Sequence, residues 1–265
     1  MKKTLCLYIL IFAVIQLKAQ ETFYRPTSNL AMNNTEKGNL DIGINHEFGN
    51  QQLQAIYNLS EKYFVFGTLN INRAKYTYQT FLGGERTAQE DNSGFSFGGG
   101  IQKFGRIGNY KYLELIGGVE LQNVDRFEFS PYYPDDIDYL SEKYFKLFLQ
   151  FNMMKNRKNY DFGYSLKLGY LKFADYKSTN GEDFNGQHFF LLDPTLNFNF
   201  KFLPKRNLKL TTQIGFSVAL NEISDRQYFD SGGYTETTNR LFAGILKIGL
   251  QYYFPIQKKE NNLTK

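Results

Sequence analysis

Apolar and polar residues alternate at period two through most of the chain between Asn39 and Phe254. In the run 208–220, for example, Leu208, Leu210 and Ile214 share one parity while polar residues hold most of the other. Successive side chains of a strand point to opposite faces, so this period predicts β-structure rather than helix. After residue 19, no apolar run reaches the length of a membrane-spanning helix.

The alternating runs predict ten strands, at residues 39–48, 52–59, 63–78, 94–104, 110–129, 143–155, 160–176, 188–202, 208–222 and 239–254. Many are longer than the ~5–6 residues usual for strands, and they reach the ~9–11 residues that a tilted strand needs to cross a bilayer. A soluble β-sandwich would show the same alternation, with its apolar face turned into a core. The lengths favour a membrane barrel.

The connections between the predicted strands differ in length in a regular way. Short turns are predicted at 49–51, 60–62, 105–109, 156–159 and 203–207, and longer loops at 79–93, 130–142, 177–187 and 223–238. Outer-membrane barrels have short periplasmic turns and longer extracellular loops. The sequence therefore predicts an all-β fold, a transmembrane antiparallel up-and-down β-barrel of about ten strands at 39–254.

The N-terminus has the layout of a secretory signal peptide. Lys2 and Lys3 precede an apolar stretch at 5–17, and cleavage is predicted after Ala19. The stretch is shorter than the ~20 residues of a membrane-spanning helix. The only cysteine, Cys6, lies in the segment to be removed, so the mature chain is predicted to lack disulfides and thiolate metal sites.

Two further segments flank the predicted barrel. Residues 20–38 lack strand periodicity and are interpreted as a periplasmic segment or a plug in the lumen, and 255–265 form a polar tail. The full chain has 31 basic and 26 acidic residues, and removal of Lys2, Lys3 and Lys18 leaves 28 and 26, a net charge of +2. This near balance gives no reason to expect nucleic-acid binding.

The last predicted strand carries a polar residue, a glycine and two aromatics at alternate positions: Lys247, Gly249, Tyr252 and Phe254. This pattern resembles the C-terminal insertion signal of bacterial outer-membrane barrels. The chain is also similar to small outer-membrane β-barrel proteins of Bacteroidota in the runs 26–30, 36–40, 53–57 and 192–194. The resemblance implies the outer membrane, contact with its lipid, insertion by the barrel-assembly machinery and no established chemistry. The tail after Phe254 departs from the signal, which usually ends the chain.

Neither histidine of the mature chain has the neighbours that outer-membrane barrel enzymes need. A lipid deacylase or phospholipase would need a His-x-Ser pair and a protease an Asp-x-His pair, but Glu47-Phe48 follows His46 and Gly186 stands two residues before His188. His46 shares the parity of Ile44, which predicts a position at the lipid interface. The chain is therefore predicted to be non-enzymatic, without catalytic residues, cofactor or metal.

The predicted loop 130–142 contains an acidic and aromatic cluster: Tyr132, Tyr133, Asp135, Asp136, Asp138 and Tyr139. Three carboxylates could bind Ca²⁺ through oxygen ligands, but the loop lacks the alternate-ligand spacing and central glycine of a calcium loop. A solvated acidic loop and a partner-binding loop are the other interpretations. Elsewhere, Gly98-Gly99-Gly100 is followed by no helix that could bind a phosphate, so these glycines are expected to allow a bend or close packing.

Charged residues of both signs are predicted to face the lumen: Asp41, Glu114, Glu120, Lys146, Asp161, Lys167, Asp193, Lys201, Lys209 and Lys247. Barrels of about eight strands are filled by their own side chains and porins need 16 or more strands, so ten strands predict a narrow or blocked interior. The charges are interpreted first as a hydrogen-bonded network, and alternatively as the lining of a selective pore.

Three hypotheses about function follow. The first is a non-enzymatic structural or accessory subunit of a larger outer-membrane assembly or secretion complex. The second is a narrow channel or conduit for small solutes across the outer membrane. The third is an enzyme of unrecognised type.

Overall fold

The computed structural model describes residues 38–47, 50–79, 85–107, 110–130, 133–157, 159–179, 184–202, 207–221, 223–228, 234–239 and 241–254. The predicted signal peptide, residues 20–37 of the predicted N-terminal segment and the predicted tail 255–265 lie outside these ranges. Within the ranges, no helix has the length and hydropathy that crossing a membrane would require.

Twelve strands are formed by the described residues: β1 (Leu40–Glu47), β2 (Asn50–Asn58), β3 (Tyr63–Gln79), β4 (Glu85–Ile107), β5 (Tyr110–Ser130), β6 (Tyr133–Asn156), β7 (Tyr160–Ser178), β8 (His188–Lys201), β9 (Leu208–Ala219), β10 (Ile223–Tyr228), β11 (Tyr234–Asn239) and β12 (Phe242–Phe254). Ten of them close into a barrel in the order β1-β12-β9-β8-β7-β6-β5-β4-β3-β2, with every pair antiparallel. The predicted ten-stranded barrel is confirmed.

Barrel closure depends on β12, the last predicted strand. It pairs with β9 on one side and with β1 on the other, so that Leu40 lies opposite Phe254. The outward positions Ile248, Leu250 and Tyr252 are exposed, and the alternate positions Lys247, Gly249 and Gln251 are buried inside. The predicted faces of this strand are confirmed.

Polar side chains fill the inside of the barrel and apolar side chains cover its outside. Along β8, for example, Asp193, Asn197 and Asn199 are buried, whereas Phe198 and Phe200 are more than 40% exposed. A soluble protein would bury the apolar face, so this distribution is the reverse of a soluble core.

The outward apolar residues form a belt, called here the apolar band, about nine to eleven residues tall on β3 and β5–β7 and shorter on β1 and β2. At the end where the long connections lie, it stops at polar outward residues: Arg73 on β3, Asn123 on β5, Lys143 on β6, Lys172 on β7 and His188 on β8. At the end with the short turns it finishes with exposed aromatics, including Tyr160, Tyr252 and Phe254. This height matches the ~9–11 residues of a strand that crosses a bilayer.

Two predicted loops are largely strand, and those predictions were wrong. β4 begins at Glu85 rather than at residue 94, and β6 begins at Tyr133 rather than at 143. In addition, the predicted loop 223–238 contains the hairpin β10–β11, and the predicted turn at 105–109 is strand as far as Ile107. The alternation is weak in 85–93 and 133–142 because these segments lie beyond the apolar band, where the outward face of a strand need not be apolar throughout.

Strands β3–β6 continue well beyond the apolar band on one side of the barrel. This upper wall consists of residues 73–79, 85–91, 123–130 and 133–143, which remain paired across the four strands. β1 and β2 end close to the band, so the wall rises above that part of the rim. At ~3.3 Å per residue, an eight-residue extension projects roughly 25 Å along the strand.

Candidate functional site

A cluster of buried apolar side chains lies inside the barrel near the long connections. Its members are Val124, Tyr144, Leu171, Phe173, Tyr176, Phe184, Phe189, Leu191, Ala219 and Leu241, contributed by strands β5–β9, by Phe184 after β7 and by Leu241 before β12. Phe184, which follows β7, packs on Tyr176 with ring centroids 4.8 Å apart and on Phe173 at 6.1 Å. Phe184 is therefore packed among the aromatic side chains inside this end of the barrel.

A buried ion pair lies deeper in the lumen. Lys146 Nζ is 3.2 Å from Asp193 Oδ2, and neither side chain is accessible to solvent. Ser217 Oγ donates a second hydrogen bond of 2.5 Å to Asp193 Oδ1. Because the desolvation of two charges is costly, such a pair persists only when both are hydrogen bonded. It ties β6, β8 and β9 together across the interior.

A second apolar cluster fills the opposite wall of the lumen with Ile56, Phe64, Phe66, Ile116 and Phe148. Its rings lie where three glycines of β4 and β5 leave space: a Cβ atom on Gly118 would be 2.7 Å from Phe148 Cζ and 2.8 Å from Phe66 Cζ, and one on Gly98 would be 2.9 Å from Phe66 Cε1. Gly100 packs in the same way against Phe64. The close-packing interpretation of the glycine run is confirmed.

Polar pairs occupy the end of the lumen near the short turns. Lys201 Nζ lies 2.5 Å from Asp161 Oδ1 and donates to the Arg157 carbonyl oxygen at 3.0 Å. Nearby, Asn152 Nδ2 donates to Glu114 Oε2 at 2.9 Å, and Gln150 Nε2 donates to Asn152 Oδ1 at 2.8 Å.

On the far side of the interior, Lys247 Nζ donates to Gln52 Oε1 at 3.1 Å, and Asn45 Nδ2 donates to the same oxygen. Lys167 Nζ lies 5.1 Å from the centre of the Phe148 ring, a cation–π contact. Nine of the ten charged residues predicted to face the lumen are buried there, namely Asp41, Glu114, Glu120, Lys146, Asp161, Lys167, Asp193, Lys201 and Lys247. Lys209 is half-buried at the turn end. Ion pairs and hydrogen bonds therefore join several of these charges to their neighbours, as the network interpretation expects.

The predicted acidic and aromatic loop is not a loop. Tyr133, Asp135, Asp136, Asp138 and Tyr139 lie in β6, and Tyr132 lies outside the described residues. Strand alternation sends Asp138 and Tyr139 to opposite faces. Asp138 pairs with Arg86 of β4, which also lies 3.9 Å from Glu128 of β5. Asp138 therefore belongs to an inner network of the upper wall rather than to a solvated loop.

Tyr139 is part of an exposed apolar patch on the outer face of the upper wall. This outer-wall patch consists of Phe127, Phe129, Ile137 and Tyr139, in which Phe127 is the cross-strand partner of Tyr139 and Phe129 of Ile137. The rings of Phe127 and Tyr139 are 4.8 Å apart, and Phe127 and Ile137 are 42% and 51% exposed. Asn123 and Asp125 separate the patch from the apolar band. Sequence analysis missed Ile137, because it stands alone among aspartates.

Glu142 is a buried carboxyl in the upper wall, beyond the apolar band. Its cross-strand partners are Val124 of β5 and Tyr176 of β7. Neither carboxyl oxygen has a hydrogen-bond partner among the residues that the structure describes. Burial therefore raises the pKa of Glu142 well above its usual value, because the charged form would lose its hydration without compensation.

Glu142→Gln should remove a pH dependence of stability. Because the folded-state pKa is raised, the wild type keeps its full stability below the unfolded pKa of ~4.3 and loses stability as the pH rises toward the folded pKa. At pH 8 the variant should be more stable than the wild type by at least about 1 kcal/mol, since one pKa unit corresponds to ~1.4 kcal/mol. Urea unfolding at pH 4.5 and pH 8 measures this, with Glu61→Gln at the exposed β2–β3 turn as control. Parallel pH profiles for wild type and Glu142→Gln would contradict it.

Both described histidines lie on the outside of the barrel. His46 is exposed on the same face as Ile44, as predicted. His188 lies at the end of the apolar band, with its ring 5.8 Å from Tyr170 and 6.2 Å from Phe190. Among the described residues, no three His, Cys, Asp or Glu side chains come close enough to hold a metal ion.

The predicted insertion-signal residues lie in β12 at its pairing with β1. Tyr252 and Phe254 point outward with ring centroids 4.5 Å apart. Gly249 packs against β1, where a Cβ atom would be 2.7 Å from the Ile44 carbonyl oxygen. Lys247 points inward. Their role in insertion stays a prediction.

The fold and the interior thus define a closed, side-chain-filled antiparallel barrel with an apolar exterior. No family model and no curated protein matches the sequence. Among solved structures, it is similar to the translocator domain of the autotransporter NalP from Neisseria meningitidis, with 13% identity over 96% of this chain and 98% of that chain, at a TM-score of 0.43. It is also similar to the outer-membrane protease OmpT from Escherichia coli, with 10% identity over 82% and 94% of the two chains and a TM-score of 0.44. These similarities concern the fold and indicate neither an activity nor a partner for this chain.

Proposed function

We propose that this chain is an integral outer-membrane β-barrel protein. The apolar band with its aromatic border, the polar interior and the short turns at one end all support this location. The signal-peptide pattern at residues 1–19 supports export. In this position the band contacts outer-membrane lipid, and the barrel-assembly machinery inserts the chain.

Within that membrane, the protein acts as a non-enzymatic structural or accessory subunit of a larger assembly or secretion complex. The observation that carries this proposal is the outer-wall patch, an apolar surface that lies outside the band and therefore has no lipid to cover it. Exposed apolar patches of this kind mark interaction sites. The filled lumen weighs against the alternative of a channel, because apolar clusters and paired charges occupy the path that a solute would take.

The double variant Phe127→Ser/Ile137→Ser should weaken binding of this protein to the other subunits of the proposed assembly. Truncated anchors at the centre of an interface typically cost 2 kcal/mol or more each, so recovery of the partner from gently solubilised membranes should fall at least tenfold. Affinity purification with quantitative mass spectrometry measures this, and Gln51→Ser, at an exposed polar position of β2 three strands away from β5, is the matched control.

Equal recovery with the wild type and the double variant would contradict a role for the patch. A wild-type protein that stays monomeric under cross-linking in intact membranes would contradict the subunit role itself. Steady conductance of the wild type in planar bilayers would instead support the channel.

A further inference from the structure

A shallow, open groove crosses the outer surface of β5–β8 within the apolar band. Its volume is about 560 Å³, and its floor includes the backbone of Gly118 and Gly169. The outward side chains along it are apolar or aromatic: Val119, Leu147, Leu149, Leu168, Tyr170 and Phe190. A groove with this lining in the hydrocarbon region fits an acyl chain.

Basic side chains lie directly beyond the groove, where the apolar band ends. Lys172 of β7 and His188 of β8 are exposed cross-strand neighbours, and the next outward pair toward the turns is Tyr170 and Phe190 at the groove itself. The rings of Tyr170 and Phe190 are 5.5 Å apart. The polar and apolar parts therefore form one continuous surface.

Two further lysines extend this basic cluster. Lys143 Nζ of β6 and Lys177 Nζ of β7 lie 3.7 Å and 3.6 Å from the same oxygen of Asp175. The next outward carboxylate is Asp125 of β5, which accepts a hydrogen bond from Ser141, the cross-strand partner of Lys177. Three lysines against these two carboxylates leave an excess of one positive charge. Lys172 has no ion pair among the described residues. Because adjacent strands are ~4.8 Å apart, the positions on β6, β7 and β8 span roughly 10 Å.

We propose that the groove and the basic cluster bind a phosphorylated, multi-acyl glycolipid of the lipid A class, with an acyl chain in the groove and phosphate groups at Lys143 and Lys172. The inference rests on the proposed membrane position. The cluster lies at the end of the barrel with the long connections, which places it at the outward leaflet. A basic surface spread over three strands complements a headgroup that carries more than one phosphate.

The test uses the full mature chain in phosphatidylcholine vesicles that contain a small fraction of lipid A, with the bound lipid quantified by native mass spectrometry. Each lysine near a charged membrane surface contributes about fivefold in affinity, so Lys143→Gln/Lys172→Gln should bind lipid A about 25-fold more weakly. Lys62→Gln, at the exposed β2–β3 turn on the other end of the barrel, should bind like the wild type.

A second variant tests the groove without removing charge. Gly117 faces outward opposite Leu149, and a Cβ atom there would meet nothing closer than the Phe148 carbonyl oxygen at 4.0 Å. Gly117→Leu should therefore fold normally, fill the groove and reduce lipid A binding several-fold.

Equal binding of phosphatidylglycerol and lipid A by the wild type would overturn the proposed ligand, and unchanged binding by both variants would overturn the site. A wild-type protein that inserts into the vesicles but binds no lipid A overturns only this inference. Failure of the wild type to insert would overturn the proposed membrane location as well.

Discussion

Asp193→Ala should destabilise the barrel by about 3–5 kcal/mol, the cost of leaving one member of a buried ion pair without its partner. Asp193 holds Lys146 Nζ at 3.2 Å and accepts the Ser217 hydroxyl, and both charged side chains are fully buried. Without the carboxylate, the buried Lys146 ammonium loses its ion-pair partner at 3.2 Å. The loss should exceed that of any substitution on the outer surface.

The double variant Lys146→Met/Asp193→Leu separates charge from packing. Replacement of both partners by apolar side chains of similar volume is often neutral or stabilising, so the double variant should be more stable than Asp193→Ala. Urea unfolding in lipid vesicles, followed by circular dichroism or by fluorescence of the 20 tyrosines in a chain without tryptophan, measures both.

The exposed ion pair of Arg73 and Asp91 provides the control. Its atoms are 3.3 Å apart, but the side chains are 82% and 50% exposed. Asp91→Ala should therefore cost no more than ~1 kcal/mol. Similar losses for Asp91→Ala and Asp193→Ala would mean that water reaches the lumen, which would favour the channel hypothesis.

Sequence alternation predicted the strands and their two faces, because within the apolar band each strand has apolar residues on one side and polar residues on the other. The choice of a barrel over a sandwich needed the strand lengths, the signal-peptide pattern and the terminal aromatic pattern as well. Lys146 and Asp193, in separate strands, could thus be placed in the lumen. Their pairing could not be predicted, since it depends on the register of β6, β7 and β8 and on side-chain length.

Beyond the apolar band, the alternation of apolar and polar residues did not predict the strands. The segment 85–93 is polar at nearly every position, yet it forms strand because its backbone pairs with β3 and β5. The outer-wall patch was missed for a related reason: Phe127 and Ile137 come together only through pairing of β5 and β6. The Lys143–Asp175 and Tyr170–Phe190 pairs at the edge of the groove likewise join neighbouring strands, so no local motif contains them.

Gly118→Leu should destabilise the barrel by about 1–3 kcal/mol, because overpacking of a filled interior forces neighbouring side chains from their rotamers. The Cβ atom of the new side chain alone would lie 2.7 Å from Phe148 Cζ and 2.8 Å from Phe66 Cζ. Gly67→Ala is the control, since its Cβ would meet nothing closer than 3.9 Å on the outer face of β3. This change should be neutral or slightly stabilising through the unfolded chain.

Phe148 occupies the space that a side chain at position 118 would need. The stability effects of substitutions at positions 118 and 148 should therefore depend on each other. Phe148→Ala alone should cost about 3–5 kcal/mol by leaving a cavity. In Gly118→Leu/Phe148→Ala the leucine can enter that cavity, so the combined loss should be smaller than the sum of the single losses by at least about 1 kcal/mol. Additive losses in the same urea titrations would show that the ring and the glycine do not share this space, and the lumen would then be less filled than the close contacts of Phe66 and Phe148 indicate.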